Sequence, residues 1–297
     1  MNNLIIKDIS KSYKKTHALN AVNLNIEDGM FGLLGENGAG KTTLMRILST
    51  IIIPDKGEIN FGDLNWHKSS DKVRSIIGYL PQKFGAFKNI TAKECLEYIA
   101  TLKGLKNKRD IISETEKVMS YVNLCEHRDK KISTFSGGML QRLGIAQALL
   151  NNPQIIIVDE PTAGLDPKER IRFRNLLRNL SKERIVILST HIVDDIEATC
   201  KSLAVIKNGF AKQFNTLSEL SSLANNKVWI WELSYADYNK LNQDMNIISV
   251  NHENNTIKLR ILAELKPSND SISVKPNIEE GYILWNIYQD TENCQII

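Results

Sequence analysis

Eight consecutive residues, Gly35-Glu36-Asn37-Gly38-Ala39-Gly40-Lys41-Thr42, carry the spacing G-x-x-x-x-G-K-[ST]. That pattern suits the capture of a polyphosphate. Glycines let backbone N–H groups converge on phosphate oxygens, and a helix N-terminus behind them adds partial positive charge. Lys41 is then placed to reach the β- and γ-phosphates, and the Thr42 hydroxyl to ligate Mg²⁺. Thr43 follows at the start of the helix that leaves the loop and joins the same binding set. A second group lies downstream, where Ile155-Ile156-Ile157-Val158-Asp159-Glu160 reads as an apolar strand delivering two carboxylates at its C-terminal end. Ligands bind at that end in open α/β sheets. Asp159 suits Mg²⁺ held through water, and Glu160 suits polarising a water that attacks the γ-phosphate. Alone, a strand ending in Asp-Glu is as readily a solvated terminus; behind a phosphate loop it reads as a reaction centre. These residues predict a chain that binds a nucleoside triphosphate.

Chemistry at these positions needs elements to hold them. Met30–Leu34 reads as a buried strand entering the phosphate loop, and Thr43–Leu48 as a helix leaving it. Upstream, Leu4–Ile9 and Ala21–Ile26 alternate with period two, and Asp28-Gly29 closes the second run. Pro54-Asp55-Lys56-Gly57 predicts a turn, followed by a strand over Glu58–Phe61. Residues 90–128 read as largely helical, with Cys95, Leu96, Ile99 and Leu102, then Val118, Met119 and Val122, near helical spacing. Ser136 is a cap for a helix that runs to about Leu150, where Asn151-Asn152-Pro153 stops it. Ile155–Val158 and Ile185–Leu188 are β-branched strands between helices, an alternation that implies a mostly parallel sheet with covering helices. After small polar residues at 217–226, strand-like runs at Val228–Leu233, Ile247–Val250, Thr256–Ile261 and Ser271–Val274 predict a small α+β appendage.

A chain of 297 residues suggests two domains at about 150 residues each. Hydrophobic and charged shares of 42% and 24% are those of a soluble globular protein. No apolar stretch approaches the roughly 18 residues that cross a bilayer, and Met1-Asn2-Asn3-Leu4 does not open a signal peptide. A cytosolic location is expected, with any membrane role supplied by a partner. Cys95, Cys125, Cys200 and Cys294 are scattered, without metal-ligand or disulfide spacing. Residues 221–297 hold six Lys/Arg against ten Asp/Glu, which leaves 32 basic and 24 acidic residues in 1–220. The basic excess is too dilute to argue for nucleic acid.

Between the two site motifs lies Phe135-Ser136-Gly137-Gly138-Met139-Leu140-Gln141-Arg142. Here the chain resembles the nucleotide-binding subunits of ABC transporters, over about residues 3–215. The resemblance implies an ABC-type P-loop NTPase fold over residues 1–221, with a helical subdomain at about 88–150 and an accessory domain at 222–297. It implies that Ser136 and Gly137, with Gly138, cap the γ-phosphate held by the opposite subunit; a hydroxyl and glycine amides at a helix N-terminus make a good anion cap. Tyr13 stands where the family stacks an aromatic ring on adenine. Gln82 matches the glutamine that senses Mg²⁺ and the attacking water beside the transporter-docking surface. Asp166 matches the loop that links the two sites across the dimer, and His191 the switch histidine near the γ-phosphate. The family's usual signature is Leu-Ser-Gly-Gly-Gln, whereas Phe135 and Met139 stand at its ends here.

That variant looks like the branch of prokaryotic exporters with separate ATPase and membrane chains, which move drugs, peptide antibiotics, lipids or ions. The run Pro276-Asn277-Ile278-Glu279-Glu280-Gly281-Tyr282 is similar to the ending of that branch's accessory domain. The implied cofactors are ATP and Mg²⁺. The implied partners are a second copy of the chain, placed head-to-tail with Lys41 facing Ser136, and an integral membrane permease on whose cytoplasmic face the ATPase sits. Phe84 and Phe87 are candidates for receiving a short helix of that permease. The competing reading is a soluble ABC-type ATPase acting on ribosomes or DNA. Those relatives carry tandem cassettes with basic linkers or long coiled coils, and this chain has neither.

Overall fold

The first runs of the chain alternate apolar and polar side chains, which fits strands with one face on a core. In the computed structural model, which describes residues 3–85, 87–239, 241, 245–253 and 255–294, they form β1 (Leu4–Tyr13) and β2 (Thr16–Ile26). Leu4, Ile6 and Ile9 all point inward although the last spacing is odd. A bulge between Ile6 and Ile9, with Asp8 at φ 52°, resets the register so that Ile9 stays in the core. β3 (Gly29–Leu34), α1 (Lys41–Leu48), β4 (Lys56–Phe61), β5 (Leu64–Asn65), α2 (Ser70–Ile76) and β6 (Ile77–Leu80) follow. The helical stretch holds α3 (Ala92–Leu102), α4 (Lys108–Tyr121) and α5 (Gly137–Leu149), with Thr91 and Glu94 forming a reciprocal capping box on α3. Then come β7 (Ile155–Asp159), α6 (Pro167–Leu180), β8 (Ile185–Thr190), α7 (Val193–Thr199), β9 (Ser202–Lys207) and β10 (Phe210–Phe214).

The chain divides into two compact units, Met1–Gln213 and Phe214–Ile297. In the first, one four-stranded sheet has the order β2-β1-β4-β5, and a six-stranded sheet runs β10-β9-β3-β8-β7-β6. The pairs β3–β8, β3–β9, β7–β8 and β6–β7 are parallel. Every residue of β3, β7 and β8 is buried, as befits parallel strands covered on both faces. Register then decides the site. Leu34 pairs with Thr190, and Asp159 with Ser189, so three strands release their following loops at one sheet edge.

The second unit begins with α8 (Leu217–Ser222) and continues through β11 (Val228–Ser234), α9 (Tyr235–Tyr238), β12 (Asn246–Glu253), β13 (Thr256–Leu262), β14 (Ile272–Ser273) and α10 (Ile278–Cys294). Its four-stranded sheet has the order β12-β13-β11-β14. Gly281 lets α10 meet α8 closely, because a Cβ there would fall 2.1 Å from the Leu220 carbonyl oxygen. Glu280, next to it, is fully buried and accepts from Arg260 Nη2 at 2.9 Å and from Arg260 Nε. It also accepts from the Asn277 amide at 2.7 Å, while Asn277 Oδ1 accepts from the Glu280 amide at 2.9 Å. The acidic pair in the tail motif thus has a local cause, since Glu280 starts α10 and neutralises Arg260. Replacing it by alanine strands the Arg260 guanidinium and the Asn277 amide, and is expected to cost about 3 kcal/mol or more. Urea denaturation of the Glu280→Ala chain, followed by tryptophan fluorescence of this unit, measures that loss.

Candidate nucleotide site

The loop after β3 follows the glycine logic closely at two places. Gly40 has φ 114°, and a Cβ there would meet the Ala18 carbonyl oxygen at 2.5 Å; a Cβ on Gly35 would meet the Ile206 carbonyl oxygen at 2.4 Å. Gly40 is the N-cap of α1 and offers no side-chain oxygen, so nothing from the cap competes for the amides of the first turn. The loop wraps Lys41, whose ammonium donates to the Gly35 carbonyl at 2.7 Å and the Glu36 carbonyl at 2.9 Å. A third partner is Glu160 Oε1 at 3.1 Å. The side chains of this pair are 4% and 7% exposed, so neither charge is solvated by bulk water.

Glu160 leaves β7 through a sharp turn, with φ 47° and its amide bonded to the Ser189 carbonyl at 3.1 Å. Its second oxygen accepts from Gln82 Nε2 at 3.2 Å and lies 3.3 Å from His191 Nδ1. One carboxylate therefore touches the phosphate-loop lysine, the second residue after β6 and the first residue after β8. Asp159, one position earlier, is fully buried and accepts from Ser189 Oγ at 2.5 Å. Burial pushes its pKa up, partly opposed by hydrogen bonds from the Ser189 and Thr42 hydroxyls. Its Oδ2 is buried with no hydrogen-bond partner. An unpaired hard oxygen beside the Thr42 hydroxyl fits a divalent cation of the Mg²⁺ type.

A cavity of about 720 Å³ opens over this cluster, lined by Asn37, Gly38, Gly40, Lys41, Thr42, Thr43, Gln82, Glu160 and His191. Gly35, Glu36 and Ala39 contribute backbone from behind it; Ala39, for example, accepts from the Gly209 amide at 3.0 Å. A neighbouring cavity of about 800 Å³ is lined by Asp159, Arg46, Tyr79 and Phe84, and shares Thr42 and Gln82 with the first. Thr16, His17, Ala18, Ala163, Asn208 and Gly209 also line the first cavity and were not anticipated from the sequence. The Asn208-Gly209 dipeptide is itself a hairpin signal between two short strands, and it was the one readable clue. Tyr13 sits at the β1–β2 turn opposite Thr16, 45% exposed, with Lys11 Nζ 5.9 Å from its ring centre. It is outside the set that lines the cavity.

The remaining predicted residues lie elsewhere in the chain. Ser136 is the N-cap of α5, its hydroxyl accepting from the Met139 amide at 3.3 Å. Gly137 is exposed, and a Cβ on it would meet nothing within 4 Å, so packing does not require glycine there. Gly138 faces a separate cavity of about 520 Å³ together with Arg142, Leu165 and Glu169. Asp166 is the exposed N-cap of α6 and accepts from the Glu169 amide at 3.0 Å. Of the two phenylalanines, Phe84 packs beside Gly144 of α5, whereas Phe87 is 66% exposed and meets Tyr98 edge-on at 6.2 Å. Removing the Lys41 ammonium takes away a charge-assisted phosphate donor worth up to about 3 kcal/mol, or about 100-fold in affinity. Titration of the Lys41→Ala chain with a fluorescent ATP analogue is expected to show a loss approaching that size; unchanged affinity contradicts the phosphate assignment.

Comparison with known proteins agrees with this geometry. The ABC transporter family profile matches residues 19–163. An uncharacterized ABC transporter ATP-binding protein of Bacillus subtilis, YxlF, is 37% identical over 227 residues, covering 76% of this chain and 75% of that one. The linearmycin resistance ATP-binding protein LnrL of Bacillus subtilis is 33% identical over 218 residues, covering 73% of this chain and 70% of its own length. A solved dimeric structure of a bacterial ABC transporter cassette superposes with TM-score 0.63 at 27% identity, over 71% of this chain and 98% of that one. A post-hydrolysis state of an ATP-binding cassette bound to ADP and Pi matches with the same TM-score of 0.63. Among the described residues no helix is long and apolar enough to cross a membrane. The phosphate loop, the buried carboxylates and the relatives converge on one assignment: the chain belongs to the ATP-binding subunits of ABC transporters and is an ATPase.

Proposed function

We propose that two copies of this chain close head-to-tail over two ATP molecules and drive a separate integral membrane permease from its cytoplasmic face. The observation that carries this reading is the separation of two anion-binding features in one chain. Lys41, Gln82, Glu160 and His191 share a cavity, while Ser136 and Gly137 head α5 on an exposed surface away from it. A second copy brings such a cap to the first copy's phosphates and completes the pocket, and ATP then favours the closed pair because only that state uses both halves. Hydrolysis removes the bridging γ-phosphate and releases the two copies.

Within the pocket, the phosphate-loop amides and Lys41 hold the triphosphate, and the Lys41 ammonium exchanges carbonyl and carboxylate partners for phosphate oxygens. Glu160, held by Gln82 and His191, accepts the proton of the attacking water. Thr42, Gln82 and, through water, Asp159 would hold Mg²⁺, which would supply positive charge to offset the negative charge of the phosphates. Ser136, Gly137 and Gly138 act on the partner's γ-phosphate, Asp166 lies in the loop that couples the two pockets, and Tyr13 packs on the adenine. The cassette is taken as residues 1–221 with its helical part at about 88–150 and the accessory domain as 222–297, although the compact units divide earlier, at Gln213/Phe214, because α8 packs on α10. Relatives named for bacitracin transport and linearmycin resistance support an exporter of drugs, peptide antibiotics, lipids or ions.

Glu160→Gln keeps size and hydrogen bonding but removes the base. ATP binding is expected to persist, turnover to fall by about 100-fold or more, and an ATP-dependent dimer to accumulate on size-exclusion chromatography. Wild-type turnover in that variant rejects Glu160 as the base. Detergent purification of the native complex is expected to bring a polytopic membrane chain, whereas recovery of rRNA or DNA would favour a soluble ABC ATPase instead.

A further inference from the structure

We propose that Asp195 is a positioning residue for hydrolysis, whose buried carboxylate locks the loop after Glu160 to the segment that carries His191. The proposal rests on the reading of Glu160 and His191 as the hydrolytic pair. Asp195 lies in the first turn of α7 and is fully buried. Its Oδ2 accepts from Thr162 Oγ1 at 2.5 Å and from Thr190 Oγ1 at 3.4 Å, and its Oδ1 accepts from Arg174 Nε at 2.6 Å. Each donor belongs to a different element, and each element leads to the site. Thr162 sits two positions after Glu160 in the turn before α6. Thr190 ends β8 immediately before His191, and its carbonyl accepts from the Gly35 amide at 3.3 Å, where the phosphate loop begins. Arg174 stands on α6, the helix capped by Asp166.

Two features show why such a lock is needed. Glu160 holds φ 47°, a left-handed backbone that a non-glycine residue keeps only where its surroundings over-determine it. One side of that turn is held by the Glu160 amide on the Ser189 carbonyl at 3.1 Å, and the other by Thr162 on Asp195. His191 has 41% of its side chain exposed, so packing does not hold the ring; its place depends on the backbone between Thr190 and Asp195. That backbone is tied by the Ile192 amide on Thr190 Oγ1 at 3.0 Å and by the Asp195 amide on the Ile192 carbonyl at 3.1 Å. A charge taken fully out of water is a costly way to fasten a helix if packing is the only purpose. Here the same charge gathers both ends of the hydrolytic pair, and its side-chain hydrogen bonds go to Thr162, Thr190 and Arg174 rather than to Lys41 or the phosphate loop.

The test uses the full chain with Asp195→Asn, and with Thr162→Val as a milder variant that keeps the Asp195–Arg174 pair. Three readouts are single-turnover ATP cleavage, affinity for a fluorescent ATP analogue, and amide hydrogen exchange by mass spectrometry. Misplacing a catalytic group by about 1 Å costs on the order of 100-fold, so cleavage is expected to fall about 10- to 100-fold in both variants, with affinity near wild type. Exchange should quicken at residues 160–166 and 190–192 while that of 35–42 stays as it was. The proposal is overturned if Thr162→Val cleaves and exchanges like wild type. It is equally overturned if affinity and cleavage fall together with exchange raised throughout the first unit, the mark of a merely structural role. Wild-type cleavage by Glu160→Gln would instead remove the reading of Glu160 itself, and the exchange pattern would still decide whether Asp195 ties the two segments.

Discussion

A buried ammonium and a buried carboxylate 3.1 Å apart, Lys41 and Glu160, organise the chemistry of this chain. Taking both charges out of water is expensive, and their attraction repays it only when the geometry is good and the remaining donors and acceptors are satisfied. Here they are. Two carbonyls take the other protons of Lys41, and Gln82 and His191 meet the second oxygen of Glu160. Because Lys41 follows β3 and Glu160 follows β7, with β8 between them, the contact depends on the register of three parallel strands. A slip of one residue would turn the loops to the other face of the sheet and part the pair. The wholly buried, β-branched character of those strands is therefore as much a requirement of the site as the polar residues at their ends.

Around that pair the polar groups fall into two classes. Most are matched within the chain: Ser189 with Asp159, Gln82 with Glu160, and Thr162, Thr190 and Arg174 with Asp195. One is not, since the second oxygen of Asp159 is buried without a donor. Buried acceptors left unpaired carry a desolvation cost of roughly 1–3 kcal/mol. Where such an atom sits beside a hydroxyl of a phosphate loop, the unmet demand fits a hard divalent cation. The raised pKa of Asp159 expresses the same imbalance, with burial outweighing the hydrogen bonds that favour its charge.

The N-terminus of α5, which we propose as a second anion-binding feature, obeys different rules. Ser136 caps α5 as many serines do, and Gly137 beside it is exposed without any packing need for a missing side chain. A cap that spends only its acceptor face on its own helix keeps a hydroxyl proton and nearby amides for an outside anion. In the proposed head-to-tail pair, such a surface would make the ATPase sensitive to its own association, so that nucleotide and partner copy would control each other. The C-terminal unit is built by separate means, with Gly281 allowing close helix contact and Glu280 joining Arg260 to the start of α10.

Much of this was legible from residues alone. The phosphate loop announces itself because only glycines tolerate its backbone and only a lysine and a hydroxyl serve its ligands. The apolar strand ending in Asp159-Glu160 is readable because a buried run that stops at two carboxylates has few other meanings next to that loop. The cap at Ser136 follows from local hydrogen bonding, which a short sequence window contains. Tertiary structure decided the rest. Sequence spacing does not reveal that Glu160 meets Lys41, Gln82 and His191 at once, nor that the Asn208-Gly209 turn and Thr16–Ala18 wall the same cavity while Tyr13 is outside its lining. Those meetings are fixed by strand order and register, quantities set by the summed packing of many apolar side chains. Asp195 shows the difference most clearly: in the sequence it is one acidic residue on a short helix, and only the fold brings three donors from three other elements onto its carboxylate.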